Sequence, residues 1–251
     1  MQFNMQFGQK WDETNPDGAP IDLKGSLAEI RRHKADIILL QEVEHASAEG
    51  TKSQLAPNYA LLSEALAGEY HGILAMPRPD PRELPFGIGL AIFSRQPLEQ
   101  VMRVDLPSPP VHFDFFGKDM TPTDRVLLGA VTQAGGIPLH VFTTHLLAFF
   151  MLKSSSSEHP EQRRIVADLM KQTEGAALIG GDFNVSRHRE LVEQMTEAGC
   201  TTVQTDQITW RRRPYVLDHI FFNNKLRCVG HSVVPTMASD HHILLANFET
   251  S

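Results

Sequence analysis

Two segments of this 251-residue chain constrain its fold more than any other. Ile37-Ile38-Leu39-Leu40 runs straight into Gln41-Glu42, and Ala176-Ala177-Leu178-Ile179 runs straight into Gly180-Gly181-Asp182. A short, wholly apolar run is the mark of a strand covered on both faces, which requires a sheet with a layer on either side. An acid at the point where such a strand leaves its sheet stands where open α/β folds place their ligands. The paired glycines before Asp182 permit a close backbone approach that a plain loop would not require.

The remaining elements fit the same architecture. Met1, Phe3, Met5 and Phe7 alternate with Gln2, Asn4 and Gln6, a strand with one buried face and with Asn4 on its polar face. Leu23, Leu27 and Ile30 predict a short helix, and Leu55, Tyr59, Leu62 and Leu66 a second. Strands are expected over 87–93, 99–104, 126–131 and 139–144, the last two joined as a hairpin across Gly135-Gly136. Pro107 to Thr123 reads as a loop, as does the tetraserine stretch from Lys153 to His159. Pro160 opens a helix carrying Ile165, Val166, Leu169 and Met170, and another covers 190–198. Strands near 216–222, 226–234 and 243–248 complete the chain. Strands interleaved with a few helices, without a break in composition, predict one α/β sandwich, a single catalytic domain over residues 1–251.

Composition narrows the class. Hydrophobic residues at 41% and charged residues at 21% exclude a disordered chain, and a net charge of −7 speaks against coating nucleic acid by charge alone. A locally basic cleft remains compatible with it. Cys200 and Cys228 can build neither a disulfide framework nor a structural zinc site, so a reducing, cytoplasmic setting is expected. The N-terminus has no leader pattern, and the longest apolar run, Leu146 to Leu152, is too short to span a bilayer.

The chemistry-bearing residues cluster in the same places. Asn184 lies two residues beyond Asp182, and His145 ends an apolar run as Glu42 and Asp182 do. Ser239-Asp240-His241 precedes the last strand, and Leu217-Asp218-His219-Ile220 lies inside an earlier one. An aspartate that holds a histidine fixes its tautomer and stabilises its charged form, so an Asp218–His241 pair would make a general acid or base. Oxygen donors without clustered cysteines or histidines suit a hard cation, Mg2+ or Mn2+, which beside histidines points to phosphate esters. No G-x-S-x-G, H-E-x-x-H or Walker A pattern competes with that reading.

Taken in order, Asn4, Leu40-Gln41-Glu42-Val43, Ala91-Ile92-Phe93-Ser94-Arg95, Thr144-His145-Leu146, Gly181-Asp182-Phe183-Asn184, Leu217-Asp218-His219-Ile220-Phe221 and Ser239-Asp240-His241 resemble the motifs of the endonuclease/exonuclease/phosphatase superfamily, with the DNase I-like fold. The resemblance runs from Asn4 to Phe248. It implies a four-layer α/β sandwich, two mixed β-sheets face to face with helices outside, and a metal at one edge of the sheets. It implies Glu42 as the principal metal ligand, with Asn4 and Asp240 nearby. Asp182 would orient or deprotonate the attacking water, and Asn184 would bind the scissile phosphate. His241, held by Asp218, would stabilise the transition state, and His145 would be a second phosphate-contacting histidine. Its glutamate partner is sought among Glu64, Glu69 and Glu83.

The superfamily fixes a reaction class and leaves substrate choice to the loops. The leading expectation is a Mg2+-dependent phosphodiesterase, a nuclease foremost. The alternative is a phosphomonoesterase or sphingomyelinase-like enzyme acting on a lipid or inositol phosphate. An inert binding module on the same fold is a third reading, opposed by the presence of every matched acid and histidine. Arg211-Arg212-Arg213 and Arg187-His188-Arg189 would flank the cleft and meet a polyanion such as nucleic acid, with Arg125 and Arg213 as substrate-binding residues. Leu146 to Leu152 stands where related chains have a polar loop. It could pack beneath the serines or form a dimer contact, offer Phe149 and Phe150 as a stacking platform for unpaired bases, or wall a lipid chain. The protein is expected to be a monomer.

Overall fold

The structure, a computed structural model, describes residues 1–46 and 56–250. Strands β1 (Gln2–Asn4), β2 (Ile37–His45), β3 (His71–Ala75), β4 (Gly87–Ser94), β13 (Leu226–Val234) and β14 (Ile243–Thr250) form one sheet in the order β13-β14-β1-β2-β4-β3. A second sheet, in the order β11-β12-β10-β9-β8-β5, contains β5 (Glu99–Leu106), β8 (Arg125–Ala134), β9 (Ile137–His145), β10 (Ala176–Asp182), β11 (Cys200–Thr202) and β12 (Asp218–Asn223). Each sheet is antiparallel except for one central parallel pair, β1 with β2 and β9 with β10. Three of those strands end on Asn4, His145 and Asp182, and β2 carries Glu42 three residues before its end.

The apolar runs divide their side chains between two cores, as a doubly covered strand must. Leu39 faces the second sheet, in a core with Leu90, Ile92, Leu128, Val141, Leu178 and Ile220. Its neighbours Ile38 and Leu40 face outward, beneath helices α1 (Leu23–Arg32) and α2 (Pro57–Leu66). On the far side, Phe142, Ile179 and Phe221 pack under α3 (Glu161–Gln172) and α4 (His188–Glu197). The result is the expected four-layer α/β sandwich. The predicted helix start at Leu55 lies outside the described residues.

Four local readings change. The N-terminal strand stops at Asn4, because Gln6, Phe7 and Gly8 turn to positive φ in a 3-10 turn. Its polar face is not solvated: Gln2 and Asn4 are fully buried between the sheets. The loop after Pro107 contains a hairpin, β6 (Phe113–Phe115) and β7 (Lys118–Met120), turned at Phe116-Gly117, while β3 and β11 were too short to stand out by periodicity. Finally, Gly180-Gly181 lies inside β10. A Cβ on Gly180 would meet Leu39 Cδ1 at 2.6 Å, and one on Gly181 would meet the Thr144 carbonyl at 2.3 Å. The pair serves sheet packing rather than a ligand's approach.

Candidate active site

Asp182 is the centre of the site. On the ladder of the second sheet it pairs with His145 on one side and Asp218 on the other, so three functional groups share one rung. Across the gap between sheets, Asn4 Nδ2 donates to Asp182 Oδ2 at 3.1 Å and to Glu42 Oε1 at 2.9 Å, while Asn4 Oδ1 accepts from the Gln6 amide. Asp182 Oδ2 also lies 3.6 Å from Nε2 of both His145 and His241. His241 Nδ1 is 2.8 Å from Asp218 Oδ2, which realises the predicted pair.

Glu42 is not past the end of its strand, as the sequence suggested, but inside β2 at a β-bulge between Gln41 and Glu44. Its φ of 50° is the left-handed conformation that an extra, unpaired residue in a bulge can adopt, and it re-aims the carboxylate into the gap. Gly87 makes room for it: a Cβ there would meet Glu42 Oε2 at 2.0 Å. Asp240 approaches from the β14 side, with Oδ1 4.0 Å from His241 Nε2. Its Oδ2 accepts from Trp210 Nε1 at 3.1 Å and from Arg212 Nε at 2.6 Å.

Behind these groups runs a buried amide network. Gln2 Nε2 donates to Asp218 Oδ1 at 2.8 Å and to Gln41 Oε1 at 2.7 Å, and Gln41 Nε2 donates to Thr143 Oγ1 at 2.8 Å. Thr209 Oγ1 accepts from the Leu217 and Asp218 amides. Sequence reasoning missed the roles of Gln2, Gln41, Thr143, Thr209 and Trp210, and it read Arg212 as facing the substrate where the structure binds it to Asp240. Gln2 and Gln41 left a signal, being amides in runs otherwise destined for the core.

Burial raises the Glu42 carboxyl above its usual range, and Asp240 adds to the effect. Burial likewise pushes Asp182 up to about 8, with Asp218 and Glu42 reinforcing it against His241. For His241 burial opposes the charge, but Asp218, Asp182 and Asp240 outweigh it and raise the imidazole to about 10. His145 is held well below its usual value by burial, then by Arg125 and His241. Two sets of donors lie close enough together to hold a cation: Glu42, His145 and Asp182, and Asp182, Asp218 and His241. The oxygen-rich donor set fits a divalent metal.

The other sought residues are distributed as follows. Asn184, at φ 51°, donates from Nδ2 to the Leu146 carbonyl, and its amide donates to Asp182 Oδ1. Arg125 NH1 lies 3.8 Å from Glu83 Oε1, and Glu83 in turn accepts from Thr123. Among the described residues, none of Glu64, Glu69 and Glu83 pairs with His145, which faces Glu42 and Asp182 instead. The triple arginine divides: Arg211 is bound to the Thr236 carbonyl, Arg212 to Asp240 and Asp17, and Arg213 stands exposed outside the cluster. Phe149 is buried and stacks on His159 below the serine loop. Phe150 packs on Trp210 and Tyr215, and the Trp210 ring lies 6.2 Å from that of His241.

Over residues 1–241 the sequence matches the Endonuclease/Exonuclease/phosphatase family. The chain belongs to this family. Among solved structures, an endonuclease/exonuclease/phosphatase from Beutenbergia cavernae DSM 12333 is similar with a TM-score of 0.71 at 20% identity, covering 99% of this chain and 70% of that one. The endonuclease/exonuclease/phosphatase from Bacteroides vulgatus reaches 0.71 at 19% identity, over 100% and 97% of the two chains. The human Nocturnin catalytic domain with bound sulfate reaches 0.66 at 17% identity, over 100% and 93%. These likenesses carry the fold. No curated protein matches the chain. Family membership and the two donor clusters support a metal-dependent phosphoesterase activity in general terms. Among the described residues no helix is long and apolar enough to cross a membrane.

Proposed function

We propose that the whole chain is one catalytic domain, a divalent-cation-dependent phosphodiesterase using Mg2+ or Mn2+. The observation that carries this reading is the environment of Asp182 Oδ2, a buried carboxylate oxygen facing two imidazole Nε2 atoms at 3.6 Å and an amide at 3.1 Å. Glu42 would be the principal ligand of the cation, with Asp240 and Asn4 nearby. When bound, it supplies Lewis-acid stabilisation of charge on the phosphate oxygens.

The side chains divide the remaining work. Asp182 accepts a hydrogen bond from water and aims it in line with the leaving group. His241, kept protonated by Asp218, donates from Nε2 to a phosphate oxygen as negative charge builds. His145, neutral in its buried position, and Asn184 bind further oxygens. Arg125 adds positive charge from its place against Glu83, and Arg213 meets the substrate at the rim.

A diester is favoured over a monoester by aromatic groups at both ends of this row. Phe150, Trp210 and Tyr215 stand beside His241, while Phe86, Phe115 and Phe116 form an edge-to-face series beginning next to Gly87 and Glu42. A phosphate with an organic group on each side matches both. The test is turnover of bis-p-nitrophenyl phosphate, p-nitrophenyl phosphate, single-stranded DNA, RNA and phospholipid diesters with Mg2+, Mn2+ or EDTA. Diesters should be hydrolysed faster than the monoester, with loss of activity in EDTA and in Asp182→Ala. No turnover, or turnover indifferent to Asp182→Ala and His241→Ala, overturns the proposal.

A further inference from the structure

Ile21, Phe86, Phe116, Met151, Ile208 and Met237 stand between 46% and 91% exposed. They lie on six different connections, 5–22, 76–86, 107–124, 146–160, 203–217 and 235–242. Strand polarity brings all six connections to one end of the sandwich. β1, β2, β9 and β10 finish there at or just beyond Asn4, Glu42, His145 and Asp182, and β4, β8, β12 and β14 begin there. The other large exposed hydrophobics among the described residues, Leu61, Val101 and Val229, sit singly on a helix and two strands. Scattered apolar residues need no account, but six of them at the end that carries the catalytic residues do.

Phe116 is the extreme case, 91% exposed at the tip of the β6–β7 hairpin. Phe115 and Phe86 support it edge to face, at 4.9 and 5.9 Å between ring centroids. Of the apolar run after His145, Leu146, Leu147 and Phe149 are buried while Met151 points outward.

The catalytic residues at the same end decide what can cover these tips. A second copy or a protein partner seated on all six loops would seal the catalytic residues, so the occupant compatible with turnover is the phase that carries the substrate. A polyanion is a poor match: Arg78, Arg82 and Arg212 are engaged by Asp105, Asp80 and Asp240, and the hairpin sets Asp114 and Asp119 against Lys118. Arg187 faces Glu190 as well, which leaves exposed Arg189 and Arg213 to meet the phosphates of zwitterionic headgroups. We infer that these tips dock the catalytic end onto a lipid surface of low net charge, which makes the substrate a phosphodiester of a lipid headgroup. The substrate part rests on the phosphodiesterase reading above; the docking part does not.

The test is flotation of the full chain with phosphatidylcholine vesicles, with phosphatidylserine vesicles and a single-stranded oligonucleotide as competitors. Wild type should float with phosphatidylcholine and keep floating in high salt, since apolar burial is not screened. Ile21→Ser and Met151→Ser, both at exposed positions, should each weaken binding about tenfold and leave turnover of soluble bis-p-nitrophenyl phosphate unchanged. Absence of flotation overturns the inference, as do flotation equal in both variants and binding confined to phosphatidylserine or the oligonucleotide and abolished by salt. Flotation without turnover of any diester upholds the docking surface and sinks the phosphodiesterase reading, whereas turnover without flotation does the reverse.

Discussion

Because Asp182 Oδ2 is shared by Asn4, His145 and His241, the residues around it should fail in different ways when replaced. Glu42→Ala removes a carboxylate from the proposed cation site, so raising Mg2+ should recover part of its activity in a metal titration. His241→Ala removes a hydrogen-bond donor that no cation replaces, and kcat should fall about 10²- to 10⁴-fold at any Mg2+ concentration. The reverse pattern would mean that the two roles are exchanged. Gln2 supplies the buried donor to Asp218 Oδ1. Gln2→Met keeps its volume and leaves that oxygen short of a partner, which should cost about 1–3 kcal/mol in urea unfolding. Its kcat should drop more for alkyl than for p-nitrophenyl leaving groups, because the Asp218–His241 pair matters most when the leaving group is poor. Equal losses on both would reduce Gln2 to a structural role.

At the level of elements, the site depends on an irregularity in β2. Were the strand regular through residue 45, Glu42 would follow the alternation of its neighbours. The bulge at Gln41–Glu44 turns it toward Asp182, and the missing side chain of Gly87 leaves space for it. Gly87→Ala places a methyl group on the carboxylate, so Glu42 must shift. The expected outcome is about a 10²-fold loss of kcat/KM from misplacement, with a stability cost of only about 1–3 kcal/mol by thermal unfolding. Unchanged kinetics would show that the bulge position of Glu42 is unimportant. The same element shows a limit of pattern reading. Ile37–Leu40 revealed a doubly covered strand, but a bulge leaves no periodic trace, so Glu42 read as a residue beyond the strand. β6 and β7, three residues each, were likewise below what alternation can resolve.

For the molecule as a whole, the crowded acids make stability depend on pH in a definite direction. His241 is raised from 6.5 to about 10 by Asp218, Asp182 and Asp240 against the opposing effect of burial. Its contribution is therefore fully present below the unfolded value and is lost as pH rises through the folded one. Across about pH 8.5 to 9.5, with EDTA present, His241 alone should lower stability by up to about 1.4 kcal/mol per pH unit, and Cys200, raised to about 11 by burial, adds a loss of the same sign. By then Asp182, at about 8, has largely released its proton, and the Met1 amine, lowered to about 5 by burial, is near neutral in both states. Thermal melts of His241→Gln should show a flatter slope over that window; an unchanged slope would place the titration elsewhere. By itself the sequence determined the layers, since doubly covered apolar runs admit few architectures, and it showed His145 and Asp182 at the ends of their strands, since those positions follow directly from the runs. Only the tertiary structure decided which groups touch. The Gln2–Gln41–Thr143 network, the capture of Arg212 by Asp240, the placing of Glu83 against Arg125 rather than His145, and the apolar tips at the catalytic end all join residues far apart in the chain. Such contacts depend on how two sheets register against each other, and no local pattern of residues encodes that distance.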